Sequence, residues 1–202
     1  MVKRLIQTVL LMLSVLVHGC SDHRLEPLTE GAIILAFGDS LTAGVGAAEP
    51  DSYPAVLARL SNRQVISAGV SGEVSARGLE RLPETLRQAQ PDLMILLHGG
   101  NDILRSHPAA VLEQNLNAMI ELAKAAGVQV VLVGVPERKL FSDASPVYAR
   151  LAEQHDLVFI ESLLSDLLHQ PGMKSDAVHL NPAGYRALAE GIHEVLQQEG
   201  AL

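Results

Sequence analysis

The stretch VQVVLVGV, residues 128–135, carries Val or Leu at six of eight positions. A strand with one wet face alternates apolar and polar residues. One that does not alternate is covered on both faces, as the strands of a parallel sheet are. LMILL at 93–97 reads as another strand, and further strands fall at 33–37, 65–68 and 157–160. Helical patterns lie between them. One runs over 52–60, with Ser52 as N-cap and Pro54 in its first turn. Another runs over 78–90, with Pro83 near its start. The longest spans 108–126, where Val111, Leu112, Leu116, Met119, Ile120 and Ala123 recur at three-and-four spacing before Gly127 stops it. Helices at 146–154 and 162–169 follow. The last begins at Asn181-Pro182 and keeps Leu188, Ile192 and Leu196 on one face. Strand and helix alternate about five times. This predicts an α/β fold, a three-layer α/β/α sandwich around a central, mainly parallel five-stranded sheet with right-handed crossovers.

The N-terminus has a different character. Lys3 and Arg4 precede an apolar run from Leu5 to Val17, followed by VHGCSD. A basic start, a short apolar stretch and a small residue describe an export signal over 1–19. The run is shorter than the roughly 20 residues that span a bilayer. Cys20, the only cysteine of the 202 residues, stands directly after Gly19. The stretch Leu16-Val17-His18-Gly19-Cys20 resembles a bacterial lipoprotein signal, with Cys20 as the lipidated first mature residue, although His18 departs from that pattern. Ordinary cleavage near Cys20 is the other reading. Residues 20–31 read as a polar tether and 32–202 as one domain. A lone cysteine permits no disulfide within the chain, so the fold rests on its core.

The chain carries 15 basic and 23 acidic residues, a net charge of −8. Loss of residues 1–19 removes Lys3 and Arg4 and no acid, which brings the charge to −10. An acidic chain without a basic run is not built to neutralise phosphates, so no nucleic-acid partner is expected. Three Tyr, three Phe and no Trp give no aromatic platform for stacked bases or sugars. The histidines are scattered without metal-ligand spacing, and Gly44-Val45-Gly46 lacks the ending of a phosphate loop. Neither a metal nor a cofactor is expected.

Parallel sheets bind ligands at the carboxyl ends of their strands. Four clusters stand there: Gly38-Asp39-Ser40-Leu41 after the first strand, Gly69-Val70-Ser71-Gly72-Glu73 after the second, His98-Gly99-Gly100-Asn101-Asp102 after the third, and Asp176-Ala177-Val178-His179 beyond the fifth. Each alone has an ordinary reading. Asp and Ser after a strand cap helices, the glycines make turns, and Asn101-Asp102 forms an Asx turn or a cap. Four in order point to one site. Asp39 is read as orienting its turn. His98 either lines the pocket or is hydrogen-bonded at the strand end. Arg77 and Arg105 either rim the cleft or are solvated.

In order and spacing, FGDSLTAG, GVSGE, GGND and DAVH resemble the GDSL or SGNH hydrolases. SGEVSARGLERLP and GGNDILR are similar to the thioesterase I, lysophospholipase and arylesterase type within that family. The resemblance implies a flavodoxin-like SGNH fold and hydrolysis of short-to-medium acyl esters, aryl esters, thioesters or lysophospholipids through an acyl-enzyme. It implies Ser40 as nucleophile, Asp176 and His179 as its partners, and Ser40, Gly72 and Asn101 as oxyanion donors. Ala68 departs from the asparagine that many relatives carry at that position.

The chemistry suits these residue types. A serine hydroxyl needs an adjacent base, and histidine titrates in the right range. The base needs a third group to fix its tautomer, and Asp176 lies three residues away. Asn101, Gly72 and Ser40 offer N–H donors, and a helix starting near Ser40 would add its positive end. The expected protein is an exported monomer whose partner is a small ester and whose only membrane contact is the lipid on Cys20. An envelope carbohydrate O-acetylesterase and an inactive acyl-binding lipoprotein are the alternative readings of the same residues. Acyl length and leaving group depend on loops at 47–51 and 137–145.

Overall fold

The computed structural model describes residues 24–137 and 144–202. The leader and Cys20 lie outside the described residues, as does most of the 137–145 loop. Five strands form the sheet: β1 Ile33–Gly38, β2 Gln64–Gly69, β3 Leu93–Leu97, β4 Gln129–Val133 and β5 Val158–Ile160. Their spatial order is β2-β1-β3-β4-β5, and every neighbouring pair is parallel. The chain leaves β1 for one edge and returns to β1's other side as β3. The strand order therefore reverses between β1 and β3, where ligands of such sheets bind. All of Leu93 to Leu97 is fully buried, as a strand without alternation should be. β2 is an edge strand, and its Gln64 and Ser67 are exposed.

Helices cover both faces. On one side lie α2 (Tyr53–Ser61), α7 (Leu163–His169) and α8 (Pro182–Gln198); on the other lie α3 (Ser75–Ala89), α5 (Ala109–Ala125) and α6 (Pro146–His155). Two short helices sit at the carboxyl edge: α1 (Ser40–Ala43) and α4 (Gly100–Leu104). The three layers match the expected sandwich. Asn181 caps α8 by accepting from the Gly184 amide at 3.0 Å, and Pro182 follows it.

Three local expectations fail. The stretch 24–31 is not a tether. Leu25 and Leu28 are buried, the Leu25 amide donates to the Glu199 carbonyl at 3.1 Å, and the Leu28 amide donates to the Ala201 carbonyl at 2.9 Å. Helix α3 begins at Ser75 and not at 78, because a distant carboxylate caps it. Asp102 accepts from the Ser75 amide and from its hydroxyl, both at 2.7 Å. Pro83 therefore falls in the helix interior, on its exposed side. Among the described residues, no helix is long and apolar enough to cross a membrane.

Asp102 is 2% exposed. Asp102→Ala leaves two buried donors of Ser75 without their acceptor. It should cost about 3 kcal/mol and lower Tm by roughly 6–12 °C, read by thermal denaturation. A fall below about 2 °C would show that this carboxylate does not anchor α3.

Candidate active site

β1 ends at Gly38 because nothing larger fits. A side chain there would run into the Leu97 carbonyl and the Thr42 hydroxyl. The next residue, Asp39, is buried and caps α1 through its Oδ1, which accepts from the Leu41 amide at 3.3 Å. Its Oδ2 accepts from the Gly100 amide at 3.2 Å. Asp39 thus ties the turn after β1 to the turn after β3. Burial pushes its pKa up, against the pull of His98 and the two amides.

Ser40 opens α1 with its side chain turned to the carboxyl edge. Its Oγ lies 3.0 Å from Nε2 of His179. Nδ1 of the same ring lies 2.7 Å from Oδ2 of Asp176. The other oxygen of Asp176 accepts from the amides of Val178 at 2.8 Å and His179 at 2.9 Å. The Val178 amide first, and then His179, hold the Asp176 carboxyl at about 2, below the usual carboxylate range. The turn carrying both residues is closed by the Ser175 amide on the His179 carbonyl at 3.0 Å. Asn181 fastens it to α8, donating to the Gly172 carbonyl at 2.8 Å. Serine, imidazole and carboxylate therefore form one hydrogen-bonded line across 139 residues of sequence.

Asn101 enters the same cleft from α4. Its Nδ2 donates to the Glu73 carbonyl at 3.0 Å, which leaves a second N–H on that nitrogen. Gly72 has φ +77°, a left-handed turn conformation that glycine adopts without strain. Its carbonyl accepts from Arg105 at 2.9 Å, and its amide makes no hydrogen bond among the described residues. Gly72 is exposed and lies beside the cleft, while Ser40, Asn101 and His179 line it. Helix α1 is a single turn, so the expected helix dipole is minor; what it supplies is the unpaired Ser40 amide of a first turn.

The remaining candidates separate cleanly. His98 is fully buried and bonds to Glu73 Oε2 at 3.1 Å, so it is the hydrogen-bonded strand-end histidine and not a cleft residue. Arg105 holds the Gly72 turn, and Arg77 pairs with Glu80 at 2.6 Å on α3. Sequence reasoning missed Glu73 and Arg81. Both Glu73 oxygens accept from Arg81, at 2.7 to 3.0 Å. The cleft encloses about 430 Å³, and much of its wall is apolar, including Leu41, Ile103, Val135, Leu168 and Val178. Lys174 and His169 also border it. Among the described residues, no group of three or more His, Cys, Asp or Glu side chains could hold a metal ion.

Comparison with known proteins identifies the family. Residues 36–187 match the GDSL-like Lipase/Acylhydrolase family. An arylesterase of Vibrio mimicus is 35% identical over 174 residues, covering 81% of this chain and 87% of the relative. Esterase TesA of Pseudomonas aeruginosa is 32% identical over 200 residues, covering 92% of this chain and 98% of the relative. The crystal structure of TesA superposes with a TM-score of 0.73 at 30% identity, over 83% of this chain and 99% of that one. With the family matched across the whole region that holds the serine, imidazole and carboxylate line, this chain belongs to the GDSL-like lipase/acylhydrolases.

Proposed function

We propose that this protein is a serine esterase that hydrolyses short-to-medium acyl esters, aryl esters or thioesters through an acyl-enzyme on Ser40. The observation that carries the reading is the line from Ser40 Oγ to His179 Nε2 at 3.0 Å and from Nδ1 to Asp176 at 2.7 Å. Nε2 takes the hydroxyl proton as Oγ attacks the ester carbonyl carbon. The carbonyl oxygen becomes an oxyanion, which the Ser40 amide, the Gly72 amide and the free N–H of Asn101 stabilise. Collapse of that intermediate expels the alcohol or thiol, and the imidazolium returns the proton to it. Water then repeats the sequence on the acyl-serine and releases the acid. Asp176 stays ionised and holds the proton of the ring on Nδ1.

An apolar cleft of this size supports an acyl or aryl group of modest length, since it lies near the lower end of the roughly 300–1,000 Å³ of small-molecule sites. A fluorophosphonate probe should add to Ser40, seen as a mass increase on its peptide. p-Nitrophenyl esters from acetate to dodecanoate should be cleaved with a maximum at intermediate length. An unlabelled serine would revive the inactive acyl-binding reading. Release of acetate from acetylated glycans with no cleavage of the longer esters would favour the carbohydrate esterase. The apolar run before Cys20 supports export and lipidation at that cysteine. An N-terminal peptide of unmodified mass, or a start elsewhere, would remove that part.

A further inference from the structure

Beneath the cleft lies an ionised knot that the mechanism above does not use. The Glu73 side chain is 7% exposed. It accepts from Arg81 Nε at 2.8 and 3.0 Å, from the terminal nitrogen of Arg81 at 2.7 Å, and faces His98 Nε2 at 3.1 Å. The same terminal nitrogen of Arg81 donates to the Gly38 carbonyl at 3.2 Å and the Ala68 carbonyl at 3.0 Å. The guanidinium carbon lies 4.0 Å from the centre of the Phe37 ring. Gly78 keeps room for this arrangement, since a side chain there would run into His98. Burial raises the Glu73 pKa, but the hydrogen bonds from His98 and Arg81 outweigh it and hold the group at about 2.

These contacts meet the oxyanion donors at every point. Gly38 stands two residues before Ser40, Ala68 is the penultimate residue of β2 just before the Gly72 turn, and Gly72 is bonded in sequence to Glu73. The Glu73 carbonyl takes one N–H of Asn101. That fixes the amide plane and so the direction of the other N–H. Stability alone is a weak reason for such a knot, because a desolvated ion pair is often matched or bettered by apolar packing. Fixed direction is a stronger one, since a misplacement of about 1 Å at a reacting centre can cost roughly 10²-fold in rate.

Resting on the serine esterase reading, we propose that Glu73 and Arg81 are positioning residues of the oxyanion hole: their bidentate pair locks the Gly72 turn and the Asn101 amide to the carboxyl ends of β1 and β2. Neither touches substrate. Their contribution is to rate and not to substrate affinity.

The test is a cycle of Glu73→Ala, Asn101→Ala and the double variant, with Arg81→Lys and Ser40→Ala beside them, assayed on p-nitrophenyl butyrate. Asn101→Ala should lower kcat roughly 10²–10³-fold. Glu73→Ala should lower kcat about 10–100-fold with KM within about twofold. Arg81→Lys keeps the charge but not the fork, so it should fail to restore the rate. The double variant should lose clearly less than the product of the single losses, because part of the Glu73 effect runs through the Asn101 donor already removed and only its hold on the Gly72 turn is left to lose. A double variant slowed by the product of the single losses would overturn the proposal, and so would a Glu73→Ala kcat within about twofold of wild type. Should Glu73→Ala fail to fold by circular dichroism, Glu73→Gln keeps the size and an acceptor and is read in the same cycle by the same criteria. A purely structural role would lower Tm and leave kcat per folded molecule unchanged. Turnover by Ser40→Ala would instead remove the esterase reading, whereas a dead Ser40→Ala with additive losses at 73 and 101 removes the clamp alone.

Discussion

Ser40→Ala is expected to lower kcat for p-nitrophenyl butyrate by about 10⁴–10⁶-fold with little change in KM. The hydroxyl supplies the attacking atom, and no other nucleophile takes its place in the line of groups from Asp176 to His179. The substrate contacts survive, because the apolar wall, Asn101 and the Gly72 turn do not depend on Oγ. The fold survives as well. Among the described residues, the one side-chain hydrogen bond of Ser40 is to His179, whose ring keeps its bond to Asp176. Tm should therefore stay within about 2 °C of wild type or rise slightly, as it can when a site optimised for chemistry is relaxed. Mass spectrometry under turnover should find an acyl adduct on the wild type alone. A Ser40→Ala protein that keeps more than about a hundredth of the wild-type kcat would rule out the acyl-enzyme on this residue.

The parts of this protein legible in its sequence are those where one local rule decides. VQVVLVGV and LMILL fix the buried parallel strands because a run without alternation has no wet face to offer. The four strand-end clusters are legible because a turn, a nucleophile and a donor demand particular residue types together. What was not legible depends on partners far along the chain. The start of α3 is set by Asp102, 27 residues away, so the local pattern places it three residues late. Leu25 and Leu28 look like stray apolar residues in a polar segment until their partners at Glu199 and Ala201 fold back beside them. Arg81 sits on an amphipathic helix, where an arginine is ordinarily solvated, and only the fold brings it over Phe37 and onto Glu73. The sole hint was the spacing of eight residues between the two charges, which for a helix preceded by a tight turn is too common to be informative.

Asp176→Asn should be nearly as damaging as loss of a triad member, about 10⁴-fold in kcat, although it changes one atom. The reason lies in which side of the carboxylate faces what. Oδ1 accepts from two backbone amides, those of Val178 and His179, while Oδ2 takes the Nδ1 proton of the ring. An asparagine must keep its oxygen toward the two amides, since turning its NH₂ there sets donor against donor. Its NH₂ then faces Nδ1, which must accept, and the ring proton moves to Nε2. That tautomer presents N–H to Ser40 and cannot take its proton. KM and Tm should change little, because the turn keeps its two amide bonds. The wild-type pH profile gives an independent check. The Asp176 pKa is depressed to about 2, chiefly by the Val178 amide, so the stabilisation of the turn is present above the usual carboxylate range and is lost as pH falls through about 2. Across the assay range of about pH 4–8, Asp176 should then stay ionised and take up no proton on the acid limb of kcat/KM. A slope of two in that range would show Asp176 titrating there. An Asp176→Asn enzyme within about tenfold of wild type would mean that the ring is oriented by something other than this carboxylate.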